Sequence, residues 1–256
     1  MSGYCPECGN VICFCDEIKR AERPHLGEKM SDFQEERQAN PYQQNGAWFN
    51  ARCGHLTGSR MKDAMSYLKQ SEKDKEAKKP RESTDKRRKL IIEVLAERLT
   101  GDIVPKYVTA AMQWGTDQEV HAKAAYEAAT GRKVVDVGFV QHQTIEFLGA
   151  SPDGLVGDGL IEIKCPTTST HVQWIIEGGI PDEHIPQMVL QCAVTQRGWV
   201  DFVSYDPRVP EKQQLFVRRF FPTDKQIEEI EREAKLFLAE VDGMFEVITR
   251  REMVEL

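Results

Sequence analysis

The sequence lacks any long hydrophobic run and any overall excess of positive charge. Of its 256 residues, 40% are hydrophobic and 29% are charged, which is ordinary for a soluble globular protein. No stretch approaches the roughly 20 apolar residues of a membrane-spanning helix, and the amino terminus lacks the basic and then apolar pattern of a secretory signal. We therefore expect a cytoplasmic protein with no membrane partner, long enough for one large domain or for a medium domain with an appendage.

The net charge is −7, which argues weakly against nucleic acid as a partner because phosphate binding requires Lys and Arg. Residues 69–89 depart from this average, since they contain ten Lys or Arg against five Asp or Glu. A solvated loop and a DNA-contacting arm both fit this segment, and charge alone favours the loop.

Cysteine is scarce outside the first fifteen residues, which hold four of the seven. These four are Cys5, Cys8, Cys13 and Cys15. Without a secretion signal we do not expect disulfides, whereas four thiolates can complete a tetrahedral zinc site. The spacing is compressed relative to two separated Cys-x-x-Cys knuckles. This compression counts against ligation by all four cysteines. The clustering of the thiols still favours a structural Zn²⁺ knuckle in residues 1–17, with free thiols or an iron–sulfur cluster as alternatives, and a polar linker follows over residues 18–45.

A predicted β-hairpin at residues 150–166 carries the strongest chemical pattern in the chain. Turn-forming residues flank its short apolar runs, and the two-residue period of a strand places Glu162 and Lys164 on one face. Asp153, on the turn that opens the hairpin, can reach the same edge. Carboxylates in this arrangement suit a hard cation such as Mg²⁺. The alternative is a surface hairpin with a solvent-exposed Glu–Lys pair.

Hydrophobic periodicity predicts helices and strands on both sides of the hairpin. Helices are expected near residues 90–100, 109–130, 169–178, 185–195 and from 223 onward, and strands at residues 133–141, 144–149, 199–205 and 214–221. Gly101 and Gly131 stand where helices stop, and Thr57 or Ser59 is expected to cap a helix start. This order predicts an α/β domain with a mixed central sheet.

Six motifs occur in the order found in a known family. They are Trp48 with Arg52, Gly54, Thr57 and Ser59; Trp114-Gly115 with Glu119; Ser151-Pro-Asp-Gly154; Glu162-Ile-Lys-Cys-Pro166; Gln187; and Tyr205-Asp-Pro-Arg208. Over residues 48–241 the chain resembles the phage lambda exonuclease or YqaJ-type viral recombinase family, within the PD-(D/E)xK nucleases. The resemblance implies a restriction-endonuclease-like α/β core with a mixed central sheet flanked by helices, in a nuclease domain of residues 46–256.

The resemblance also implies a catalytic role for the polar residues of the hairpin. Asp153, Glu162 and the carbonyl of Ile163 would bind Mg²⁺ or Mn²⁺. Lys164 would orient the attacking water and stabilise the charge that develops on the phosphate. Glu119, which alone is typical of a solvated helix face, would bind a second metal ion or a water that the metal holds.

Other matched residues would contact the DNA or support the site. Arg52, by itself an ordinary surface arginine, would bind a 5′-phosphate with help from Ser59, since a guanidinium fork matches two phosphate oxygens. Gln187 would be a polar contact near the active site. The family carries a second glutamine where this chain has Val189, and Gln191, one helical turn from Gln187, is the substitute that the sequence offers.

Together these roles imply a Mg²⁺-dependent exonuclease that digests double-stranded DNA from 5′-phosphorylated ends. It would leave 3′ single strands for a single-strand annealing protein during phage or prophage recombination in a bacterial host. The resemblance further implies a trimeric ring and two metal ions per site. An endonuclease or another PD-(D/E)xK exonuclease on the same core is one alternative, and a catalytically inactive DNA-end-binding protein is another.

Overall fold

The computed structural model describes residues 40–104 and 107–251. The helices, in chain order, are α1 (Gly46–Arg52), α2 (Met61–Ala64), α3 (Glu72–Glu76), α4 (Asp85–Thr100), α5 (Ala110–Thr130), α6 (Thr168–Glu177), α7 (Ile185–Thr195) and α8 (Asp224–Arg250). The strands are β1 (Leu56–Thr57), β2 (Val140–Gln141), β3 (Leu148–Ala150), β4 (Gly154–Val156), β5 (Gly159–Lys164), β6 (Val200–Tyr205) and β7 (Leu215–Phe220). In the described part of the chain, no helix is both long and apolar enough to cross a membrane.

Two mixed sheets and the helices around them form an α/β fold, as the sequence predicts. The larger sheet has the order β4-β5-β6-β7, in which only β5 and β6 run parallel. The smaller sheet has the order β1-β3-β2, with β1 parallel and β2 antiparallel to β3. Where one central sheet was expected, the strands divide into two.

The predicted hairpin is confirmed. Strand β4 pairs antiparallel with β5, and Gly154 lies opposite Ile161. At the turn, a Cβ on Gly159 would lie 2.1 Å from the ring of Trp199, so the residue there must be glycine for the indole to cover the turn. Strand β5 is buried along its length and ends at the half-buried Lys164.

The predicted strand over residues 133–141 is wrong for most of its length. Val135 makes a single antiparallel bridge to Leu155 of the larger sheet, whereas β2 pairs with β3 of the smaller sheet. The chain therefore crosses from one sheet to the other, and it cannot stay in one hydrogen-bonded ladder while it does so. The next predicted strand, residues 144–149, is also shorter than expected, since the strand that forms there, β3, begins only at Leu148.

The helix ends follow the sequence closely. Gly101 and Gly131 adopt left-handed conformations directly after α4 and α5, and Thr223 with Gln226 forms the expected capping box of α8. Thr57 is the exception, because its side chain makes no capping hydrogen bond at the short 3₁₀ turn that follows β1.

The main hydrophobic core joins four helices, α2, α4, α7 and α8, to the smaller sheet. Buried residues of this core include Leu90, Ile91, Val94 and Leu95 of α4, Val189 and Leu190 of α7, Phe237 and Val241 of α8, and Leu148 of β3. Residues 40–45, within the predicted linker, also contact the domain, since the Gln43 amide donates to the carbonyls of Val137 and Pro152 at 2.8 Å. The four clustered cysteines lie outside the described residues.

Candidate active site

The carboxylate of Glu162 lies at the centre of a buried hydrogen-bonded group. The Lys164 ammonium and the Gln187 amide, the latter at 2.6 Å, both donate to Glu162 Oε1. The Gln191 amide donates to Oε2, also at 2.6 Å. A buried carboxylate is costly unless donors satisfy it, and strand β5 and helix α7 supply three donors here.

Asp153 caps the open end of the hairpin. Its Oδ2 accepts a hydrogen bond of 2.6 Å from the backbone N–H of Ile163. The β4–β5 register, extended by two residues, places Pro152 opposite Ile163, and proline has no N–H to continue the ladder. Because the N–H and C=O of one strand residue point to the same side, the Ile163 carbonyl faces the edge where Asp153 lies.

The positive charge near Asp153 does not balance the negative charge of the carboxylates around it. Burial raises the pKa of its carboxyl well above the usual value, and the nearby carboxylates of Glu162 and Glu119 raise it further, while Lys164 opposes them only in part. Burial lowers the pKa of Lys164, but these same carboxylates outweigh burial, so its pKa lies above the ordinary value. Lys164 is therefore a stable cation beside three carboxylates.

Glu119 reaches this group from helix α5. Its charge raises the pKa of both Asp153 and Lys164, which places Glu119 near those two side chains. Its own Oε1 lies 2.7 Å from the Lys123 ammonium, one turn further along the helix. The structure thus brings together the side chains that the sequence predicts as catalytic.

The donors of this site suit a hard divalent cation, although their present arrangement is not a finished metal site. Within residues 40–104 and 107–251, no group of three or more His, Cys, Asp or Glu side chains is already arranged to hold a metal ion. Each carboxylate is instead engaged by a protein donor, so a cation would replace part of those contacts. The oxygen-only donor set and the shortage of positive charge at Asp153 fit Mg²⁺ or Mn²⁺.

Arg52 lies at the end of α1 with its guanidinium desolvated. Its Cζ is 4.1 Å from the centroid of the Trp48 ring, and its Nη1 donates to Ser151 Oγ at 3.0 Å. Burial, followed by the nearby charge of Arg60, lowers the pKa of Arg52 to about 10. No carboxylate forms an ion pair with Arg52 in the described part of the chain, so this guanidinium suits an external anion.

A cavity of about 880 Å³ opens beside Arg52, between α1, α4 and the start of α5. Ser59 and Arg60 line it together with Arg52, as the predicted phosphate-binding role of Ser59 requires. Lys86 and Lys89, from the basic segment of residues 69–89, line the same cavity. The positive charge of that segment is therefore partly directed at this cavity.

The turn after Arg52 is held by a buried carboxylate. Glu97 of α4 accepts hydrogen bonds from Arg60 and, at 3.1 Å, from the N–H of Gly54. Gly54 has a φ of +70°, and a Cβ there would lie 2.7 Å from Arg98 Cγ, so both the conformation and the space require glycine. This explains the glycine of the first motif.

Through Arg208, the Tyr205-Asp-Pro-Arg208 motif contacts the segment after β5 and the start of α5. The buried carboxylate of Asp206 accepts hydrogen bonds from the guanidinium of Arg208 at 2.7 and 3.1 Å. Arg208 also donates to the carbonyl of Pro166 at 3.1 Å and stacks on Trp114, 4.4 Å from the ring centroid. The motif therefore ties the segment after Lys164 to the start of α5.

Two residues of the site, Lys123 and Ser151, have no role assigned from the sequence. Lys123 pairs with Glu119, and its i, i+4 spacing was the available signal. Ser151 links Arg52 to the segment that carries Asp153, and nothing local in the sequence indicates this. Gln191, which the sequence offers only as a substitute for a missing glutamine, binds Glu162 directly.

Residues 47–198 match the family model of the YqaJ-like viral recombinase domain, which is more than half of the chain. The alkaline exonuclease LHK-Exo from Laribacter hongkongensis is 43% identical, with a TM-score of 0.71, and the match covers 80% of this chain and 97% of that one. LHK-Exo in complex with dAMP matches at the same identity and coverage with a TM-score of 0.72.

A more distant structure has the same fold. The phage-related exonuclease from Haemophilus somnus 129PT is 16% identical with a TM-score of 0.57, over 76% of this chain and 96% of that one. The comparison with curated proteins gives no significant match. Given the family match and an exonuclease that is 43% identical over four fifths of the sequence, the chain belongs to the YqaJ-like viral recombinase family and is a nuclease of the exonuclease type.

Proposed function

We propose that this protein is a divalent-metal-dependent exonuclease that digests double-stranded DNA from 5′-phosphorylated ends, in the 5′-to-3′ direction. The observation that carries the proposal is the hydrogen bond between Arg52 and Ser151. It joins a desolvated guanidinium, suited to a terminal phosphate, to the segment that holds Asp153. Ser151 and Asp153 are two positions apart, and two residues of chain span at most about 7 Å. The Arg52 guanidinium and the carboxylates are therefore close enough to hold successive phosphates of one strand.

Product chemistry supports removal of nucleotides one at a time. The 43%-identical LHK-Exo binds dAMP, which is a mononucleotide of the kind that an exonuclease releases. The cavity beside Arg52 is large enough for a nucleotide, since ligand pockets generally measure about 300–1,000 Å³. Four basic side chains line the cavity against the two carboxylates of Asp63 and Glu93, together with apolar side chains, and this lining suits a phosphate and a base.

The residues of the site would divide the hydrolysis between them. Arg52, with Ser59, holds the terminal 5′-phosphate and so places the next phosphodiester against the carboxylates. Lys164 donates to the oxygens of that phosphate and stabilises the charge that develops on them. Gln187 holds Glu162 in position from helix α7.

Asp153, Glu162, the Ile163 carbonyl and Glu119 would hold Mg²⁺ or Mn²⁺, two ions per site by family resemblance. Bound divalent ions supply neutralisation of phosphate charge and a lower pKa for the attacking water. The protein's own contribution is to keep these oxygens at one edge of the sheet and Lys164 beside them.

Linear duplexes with 5′-phosphate or 5′-hydroxyl ends, and a covalently closed circle, test this proposal. With Mg²⁺ we expect mononucleotides from the phosphorylated ends, slower release from hydroxyl ends, none from the circle, and no release in EDTA. Arg52→Gln should remove the preference for phosphate, and Asp153→Asn or Lys164→Met should abolish hydrolysis. Arg250→Gln, at a position where the side chain is 78% exposed, is the matched control.

Each alternative predicts a different result. Cleavage of the closed circle would identify an endonuclease. Binding of DNA ends without any hydrolysis, or hydrolysis that survives both Asp153→Asn and Lys164→Met, would overturn the catalytic assignment. The trimeric ring, the annealing partner and the zinc knuckle of residues 1–17 remain predictions of the sequence.

A further inference from the structure

Lys123 is a buried lysine at the edge of the carboxylate group. Its side chain is 2% exposed, and its ammonium lies 2.7 Å from Glu119 Oε1 and 3.1 Å from Asp136 Oδ1. Helix α5 carries both Lys123 and Glu119, whereas Asp136 comes from the segment that approaches the larger sheet. A lysine is almost never this deeply buried unless it is paired.

The Lys123 ammonium stays charged in this position. Burial lowers its pKa, but Glu119, Asp153 and Asp136 together outweigh burial and hold the pKa above the ordinary value. The cation is thus fixed by the fold and is not a mobile surface charge.

Two lysines, Lys164 and Lys123, flank the carboxylates, and they differ in burial and in the carboxylate that each one contacts. Lys164 lies on strand β5, is half-buried, and bonds to Glu162. Lys123 lies on α5, is fully enclosed, and bonds to Glu119. Two lysines thus stand against the three carboxylates of Asp153, Glu162 and Glu119, so they reduce the negative charge of the site without cancelling it.

We propose that Lys123 is a positioning residue, a built-in counter-ion that holds Glu119 towards the active site and weakens the attraction of the site for divalent cations. This inference rests on the proposed function. A fixed cation beside a carboxylate both orients it and repels other cations. Lys123 therefore keeps Glu119 in place before metal binds and keeps bound metal exchangeable.

Two variants change the counter-charge in opposite directions. Lys123→Met removes a positive charge next to Glu119, so Mn²⁺ should bind about tenfold more tightly, while turnover falls because Glu119 is no longer held. Asp136→Asn removes a negative charge from the other side of Lys123, so Mn²⁺ should bind several-fold more weakly. If Lys123 had only a structural role, the two variants would not change Mn²⁺ affinity in opposite directions.

The experiment titrates the full-length protein with Mn²⁺ in the absence of DNA, following free Mn²⁺ by electron paramagnetic resonance. Lys123→Arg keeps the charge and should bind Mn²⁺ like the wild type. Lys133→Met, at an 88% exposed side chain on the same part of the chain, is the matched control. Asp153→Asn identifies the binding that belongs to the site, and thermal denaturation of each variant verifies folding.

The outcomes separate this inference from the proposed function. Tighter binding in Lys123→Met together with weaker binding in Asp136→Asn supports the counter-ion role. Equal or weaker binding in folded Lys123→Met, or tighter binding in Lys123→Arg, overturns it even if the wild type binds Mn²⁺ through Asp153. If Lys123→Met does not fold, an unchanged affinity in Asp136→Asn overturns it. Absence of Asp153-dependent Mn²⁺ binding in the wild type overturns both the inference and the metal dependence.

Discussion

Arg52 Nη1 donates to Ser151 Oγ at 3.0 Å, across 99 residues of sequence. The same hydroxyl accepts from Trp48 Nε1 at 2.9 Å, so Ser151 fixes both the guanidinium and the ring on which it stacks. Since Ser151 begins the motif that contains Asp153, the anion pocket and the carboxylate site are parts of one structural unit.

The first prediction concerns Ser151→Ala. Loss of this hydroxyl leaves Arg52 less constrained, so we expect about a tenfold loss of kcat/KM on 5′-phosphorylated ends, the effect of one hydrogen bond. Ends with a 5′-hydroxyl should be affected much less. The measurement is the ratio of kcat/KM for the two ends. Ser169→Ala, at an exposed serine, should leave the ratio unchanged, and an equal loss on both ends would contradict the proposed link.

The second prediction concerns Gln191→Met. The side chain is buried, and the variant removes the donor to Glu162 Oε2 while it keeps a similar volume. We expect about a 10- to 100-fold lower single-turnover rate, which is typical when a partner of a metal ligand is removed. Gln173→Met, which removes an exposed amide bonded to Glu177, is the control. Equal rates for these two variants would show that Gln191 has no part in the site.

The third prediction concerns the pH dependence of stability at His184. Burial, then Lys164, lowers the pKa of His184 to about 4, whereas an unfolded histidine titrates near 6.5. Between these values the unfolded chain binds the additional proton, so stability is lost as pH falls from about 6.5 to 4.

Replacing His184 with Phe keeps an aromatic ring against Phe202 and Trp174 but removes the titration. By pH 4.5 the wild type should have lost about 2–3 kcal/mol relative to this variant, compared with their difference at pH 7.5. Urea unfolding at several pH values measures this loss. Parallel stability curves for the two proteins would rule out a neutral buried His184.

The fourth prediction concerns the pairing of Arg87 with Glu240. Arg87 is fully buried, and its guanidinium bonds to both Glu240 oxygens at 2.6 and 2.8 Å, which joins α4 to α8. Glu240→Ala should lower the free energy of unfolding by about 1–3 kcal/mol, because it leaves a buried cation short of partners. Glu246→Ala breaks an exposed pair with Arg250 and should cost less than about 0.5 kcal/mol. Urea unfolding measures both, and equal losses would contradict the burial argument.

Much of the fold could be predicted from sequence because its signals are local. The glycines that end α4 and α5, the capping box of α8 and the hairpin turn each depend on residues a few positions apart. The strand predicted over residues 133–141 was wrong because its β-forming composition does not indicate which sheet it joins. Val135 and Val140 pair with different sheets, and this depends on where distant strands lie.

The sequence by itself determined that Glu162 and Lys164 lie on one face of a strand, with Asp153 on the turn that opens the same hairpin, because the two-residue period of a strand is a local property. Tertiary structure alone decided that Gln191 holds Glu162 and that Ser151 links Arg52 to the hairpin, because these contacts join residues far apart in the chain. The pair of Lys123 with Glu119 is instead local to one helix. Burial, which is the largest cause of the raised pKa of Asp153, exists only once the helices cover the sheet.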